Sequence, residues 1–107
     1  MINIKETLKQ YTGLEVAETA FKNPPKLPYI IFTMEENVSG ADAVDNISNR
    51  DITVELYSDT INRDKEKLIE NMLNENSISY SKNRMWLDTE KMFQTAYDFN
   101  LYEKMEV

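Results

Sequence analysis

Three groups of carboxylates are the residues best placed to do chemistry. Glu35 and Glu36 stand with Asp42 and Asp45 around residues 37–48, Asp59 and Asp64 flank a helix start, and Asp88 and Glu90 share a turn. Carboxylates without imidazole partners could hold magnesium or calcium through oxygen ligands. None of the three groups has the spacing of a metal loop. The run EENVSGADAVD lacks the alternate-position ligands of an EF-hand. Helix capping accounts for Asp59 and Asp64, and a solvated turn accounts for Asp88 and Glu90. No metal is expected.

Other chemistries are limited by what the chain lacks. It has no histidine and no cysteine. That excludes a zinc site and a Ser-His or Cys-His nucleophile pair. Lys, Tyr and carboxylates could act as acid or base only if their pKa values were shifted. The two glycines, Gly13 and Gly40, cannot form a phosphate-cradling loop, and no serine sits in a nucleophile elbow. The chain is expected to be no enzyme and to carry no cofactor. Trp86, Phe93, Tyr97, Phe99 and Tyr102 could stack nucleic-acid bases, but core and cross-strand pairing is their commoner use.

The net charge of −7, from 19 acids against 12 bases, argues against a general nucleic-acid binder. Such binding depends on Lys and Arg neutralising phosphates. A length of 107 residues fits one domain over 1–107. No apolar run is long enough to span a membrane, and MINIKETLKQ lacks the layout of a signal peptide. A soluble, cytosolic chain is expected.

The elements follow from periodicity. Ile4, Leu8 and Tyr11 make one face of a helix over 2–12, with Asn3 as cap, Glu6 in capping-box order and Gly13 as stop. Residues 14–21 predict a short strand. NPPKLP is a rigid connector, since its prolines cannot donate backbone hydrogen bonds. YIIFTMEE (29–36) predicts a strand, residues 37–48 a mobile loop, and RDITVELYSD (50–59) a half-buried strand.

A helix is expected over about 61–75, with Ile61, Leu68, Ile69, Met72 and Leu73 as its apolar stripe and Asp64 and Glu66 near its positive end. A hairpin closes the chain. Its first strand runs from Ile78 to Leu87, DTEK turns, and its second strand alternates Phe93, Thr95, Tyr97, Phe99 and Leu101 against Gln94, Ala96, Asp98 and Asn100. The class is α+β: a mainly antiparallel sheet of four to five strands with two helices on one face.

Three segments, PYIIFTMEENVSGADAV, RDITVELYSDTINRDKEKLIENML and ISYSKNRMWLDTEKMFQTAYDFNLYEK, carry a resemblance. In layout they resemble the tail-completion, or tail-terminator, proteins of long-tailed phages and prophages, which include the minor tail protein U of phage lambda. The shared pattern is a Pro-Tyr-led strand, a polar loop, a strand like VELYTD, a helix a few residues later, and a closing hairpin with an aromatic second strand. The resemblance implies a subunit of a six-membered ring in the virion tail, made in the host cytoplasm. The ring would cap the tail tube and join it to the head. Its partners would be itself, the major tail protein and a head-completion or connector protein, with DNA passing through the lumen without specific binding. No catalytic residue carries over.

Ring assembly needs two different faces on each subunit. Strand edges and the 37–48 loop are the candidates, and Glu35, Glu36, Asp42 and Asp45 are expected to face a partner ring or the channel. An acidic lumen would keep DNA from sticking. The alternative is an acidic DNA-mimic or inhibitor-type module, which should show its acids as a continuous stripe. A small carboxylate enzyme would need a deep pocket with convergent acids.

Overall fold

A computed structural model describes residues 2–39 and 46–105, with side chains described for 2–36 and 49–102. The elements are α1 (Ile4–Thr12), β1 (Val16–Glu18), β2 (Tyr29–Ser39), β3 (Asn46–Ser58), α2 (Arg63–Glu75), β4 (Tyr80–Leu87) and β5 (Met92–Met105). The five strands form one sheet in the order β1-β2-β3-β5-β4. β1 runs parallel to β2, and every other neighbouring pair is antiparallel. The sheet is therefore mixed but mostly antiparallel, and the α+β expectation holds.

Local chemistry sets the helix ends. Asn3 accepts from the Glu6 N–H at 3.0 Å, and Gly13 takes the left-handed conformation at φ 70° while its N–H returns to Lys9. These caps satisfy amide and carbonyl groups that a helix end leaves without partners. Lys65 from α2 donates to the Thr12 carbonyl at 2.7 Å, placing a cation on the negative end of α1. Tyr11 adds a second tie by donating to Glu75 at 2.8 Å. The two helices thus lie side by side.

The core fills the space between those helices and one sheet face. Ile4 and Leu8 of α1 and Ile69, Met72 and Leu73 of α2 meet Ile30 and Phe32, Ile52, Val54 and Leu56, and Tyr97 and Phe99. These strand residues alternate along each strand, so among the described residues the opposite face carries no helix. Each full burial of such a side chain contributes on the order of 1.5–3 kcal/mol.

Three expectations are corrected. Residues 37–39 and 46–48 are strand, because Asn37, Val38 and Ser39 stay in register with Asn49, Ser48 and Ile47. A backbone ladder needs no apolar side chains once a third strand supports it, and β5 pairs with β3 out to Asn46 and Met105. α2 begins at Arg63 with Asn62 as its cap, so Ile61 lies outside the helix and is exposed. β4 begins at Tyr80, with Ile78 buried just before it. Glu66 stands in the first turn of α2, as expected, and is buried there.

The long β2, β3 and β5 make the molecule elongated. Its Cα radius of gyration is 15.2 Å and its extents are 49 × 28 × 22 Å, against about 13 Å expected for a compact chain of this length.

Candidate assembly surfaces

The densest set of charged side chains sits between α2 and the closing hairpin. Glu66, Ile69 and Leu73 share the inner face of α2, so Glu66 points at the sheet and is only 2% exposed. β4 and β5 supply its partners from their helix-facing positions. Arg84 donates to both carboxylate oxygens, at 2.8 and 2.6 Å, Thr95 donates at 2.7 Å and Lys82 at 3.1 Å. Lys82 also reaches Glu70 at 2.7 Å. The buried Tyr97 hydroxyl donates to Glu70 at 2.7 Å.

Burial alone would raise the Glu66 pKa, but the hydrogen bonds from Arg84, Thr95 and Lys82 outweigh it and bring the value down to about 2. Burial, and then the bond to Glu70, push the Tyr97 phenol well above its ordinary range. Neither group changes charge near neutral pH, and both carboxylate oxygens of Glu66 are taken. The arrangement clamps α2 onto β4. The sequence did carry a signal for it: an acid in register with an apolar helix stripe, and Lys82 and Arg84 alternating with Tyr80 and Trp86.

The helix-free face of the sheet has a different character. Register and alternation place Glu35 of β2, Asp51 and Glu55 of β3, and Asp98 of β5 on it. Glu35 and Asp51 lie directly opposite each other. Thr53 donates to Asp98 at 2.5 Å. Among the described side chains of the strands, no Lys or Arg lies on this face. Arg50, Lys82 and Arg84 all point to the helix side.

At one end of the same face, Gln94 donates to both Glu55 (2.9 Å) and Tyr57 (2.8 Å). Tyr57 packs at a tilt against Tyr29, and Tyr29 meets Phe21 edge-on. Burial raises the Glu55 pKa. Its hydrogen bond with Tyr57 opposes that rise, and the Asp98 charge adds to it.

Of the four acids expected around the loop, the two that are described point apart. Glu35 and Glu36 stand in β2 on opposite faces. Glu35 joins the acidic face, while Glu36 accepts from Arg50 at 2.9 Å on the helix side. Asp42 and Asp45 lie outside the described residues. Of the aromatics, Tyr97 and Phe99 are core. Trp86 packs edge-on against Phe93 across the hairpin at 4.9 Å between ring centroids.

The sheet ends in two unlike edges. β4 is one edge over its whole length, with Met85 44% and Trp86 45% exposed. At the other, β1 covers β2 only at Ile30–Phe32. Beyond Phe32 a groove of about 500 Å³ opens beside β2, lined in part by Ile2, Phe32, Met34, Glu36 and Arg50.

No family model matches the chain, and no curated protein matches it. Among solved structures, the fold is similar to that of a chain in the virion of a native gene transfer agent particle. The TM-score is 0.61 at 11% identity, over 92% of this chain and 84% of that one. At that identity the likeness is one of fold.

Proposed function

We propose that this chain is a structural subunit of a phage or phage-like virion, and within it the ring that closes the tail tube and joins tail to head. The observation that carries the reading is an acidic sheet face, without Lys or Arg among its described side chains, on a fold similar to that of a virion chain. Turned toward the ring's centre, that face repels the phosphate backbone, so DNA slides past without specific binding. The helices then lie outside, and Glu35 is a lumen residue. Glu36 stays on the helix side. Residues 1–107 act as one unit, a ring of six copies, with the major tail protein below and a head-completion protein above. The role is mechanical and uses no catalytic residue, cofactor or metal.

Gold-labelled antibody against the protein, applied to purified particles, tests the placement. Label at the head–tail junction is expected. Label along the tail or at its tip contradicts the reading.

The same acidic face favours one second reading, an acidic DNA mimic or inhibitor module. Such a protein works as a free subunit that titrates a basic nucleic-acid enzyme with fixed stoichiometry. Loss of that enzyme's activity on addition of the protein, with no ring formed, would decide for it.

A further inference from the structure

We propose that copies of this chain join edge to edge into one continuous sheet. β4 of one copy adds antiparallel to β2 of the next beyond Phe32, and Trp86 seats in the groove lined by Ile2, Phe32 and Met34. This rests on the ring reading and names the interface that builds it.

The two edges are complementary in three respects. The first is vacancy. Among the described residues, no strand pairs with β2 on its β1 side after Phe32, because β1 ends at Glu18. Thr19, at φ 69°, then turns the chain away. The whole outer edge of β4 is likewise without a neighbour. Edges left open in this way are templates for strand addition.

The second is direction. Each step from β2 to β3, β5 and β4 reverses the strand, so β4 runs antiparallel to β2 within a copy. Rotation about an axis lying broadly along the strands preserves direction, so the neighbouring β4 also meets β2 antiparallel. The edges lie at opposite ends of the sheet, which makes the contact heterologous and able to close a ring.

The third is side-chain fit. Setting Trp86 beside Met34 puts Arg84 beside Glu36 and Met85 beside Glu35. The helix-facing rows of the two copies then stay on one side and the acidic rows on the other. Trp86, half exposed on a free edge, meets the Ile2, Phe32 and Met34 side of the groove, and Arg84, held by Glu66, comes beside Glu36, held by Arg50. Tryptophan in a desolvated pocket is a frequent anchor of protein interfaces.

The stagger is consistent with closure. Within a copy, the pairings Trp86–Phe93 and Phe93–Ser58 set Trp86 level with position 28 of β2, six residues from Met34. At about 3.3 Å per residue the stagger is about 20 Å, across four strands spaced about 4.8 Å apart. The strands then tilt about 45° to the ring axis, at the upper end of the range for closed barrels. Six copies give a wall of about 24 strands, more than the 16–18-stranded porins that already leave an aqueous channel.

The chain has no cysteine and one tryptophan, so the interface can be tested cleanly. The variant carrying Trp86→Cys and Met34→Cys, and a second carrying Met85→Cys and Glu35→Cys, are oxidised mildly and run without reductant. Within one copy the paired positions are about 25 Å apart, too far for an internal disulfide. Both variants are expected to give a ladder of disulfide-linked multimers, and each single-cysteine variant only a trace of dimer. A circular-dichroism melt of each confirms folding, and the Met85/Glu35 pair leaves the Trp86–Phe93 contact in place. In the unaltered protein, the Trp86 emission is expected to shift to the blue as rings form in native mass spectrometry. Rings without cross-links in either double variant would overturn the interface and leave the ring reading standing. The absence of both rings and cross-links would overturn both.

Discussion

Replacing Glu66 with glutamine keeps the side chain's size and removes its charge, which isolates the clamp between α2 and β4. With the folded carboxyl at about 2 and its ordinary value at 4.5, the surroundings favour the ionised form by about 3 kcal/mol, at 1.36 kcal/mol per unit. Glu66→Gln should therefore cost about 3 kcal/mol, in line with breaking other buried ion pairs. In a chain of this size that lowers Tm by roughly 10–20 °C. The sign of the pH dependence follows from the direction of the shift. A depressed folded pKa contributes stability that is fully present above pH 4.5 and is lost as pH falls through about 2. Wild type should lose stability steeply across that window, and the variant should lose it less. Urea melts followed by far-ultraviolet circular dichroism and by Trp86 emission, at several pH values from 2 to 7, measure both. A cost under about 1 kcal/mol, or parallel acid losses in the two proteins, would refute the clamp.

Other outcomes follow from single contacts. Tyr97→Phe removes a buried hydroxyl that donates to Glu70, and should cost about 1–3 kcal/mol in a urea melt. Asn3→Ala removes the α1 cap and should cost about 1 kcal/mol. Gly13→Ala should cost about 1–2 kcal/mol through its φ of 70° alone, since nothing lies within 4 Å of the added carbon. Asp51→Asn relieves the charge facing Glu35 and should stabilise by about 0.2–1 kcal/mol at low ionic strength. That gain should shrink in about 1 M salt.

Much of the fold was legible because local rules and tertiary packing agree. The Asn3 and Gly13 caps, the alternation of Ile52, Val54 and Leu56, and the hairpin around DTEK are each set within a few residues. The tongue of β2, β3 and β5 beyond Glu36 was not legible. Asn37, Ser39, Ser48 and Asn49 carry no apolar period, and their pairing is a property of the assembled ladder. The burial of Glu66 was not legible for a related reason. Its position near the helix start explains an acid locally, and only the arrival of Arg84 and Lys82 from a strand sixteen to eighteen residues later shows it to be buried.

The acidic face was invisible for the same cause. The acids of RDITVEL and EENV are spread over two strands, and the pleat sorts them by side. Glu35 and Glu36 make the point: adjacent in sequence, they serve opposite faces.

The proposed role is to cap a tail tube and join it to a head. Electron microscopy of particles assembled without the protein tests it most directly. Filled heads separated from tails, with tails of irregular length and open upper ends, are the predicted result. Heads joined to tails of normal, uniform length would contradict the claim.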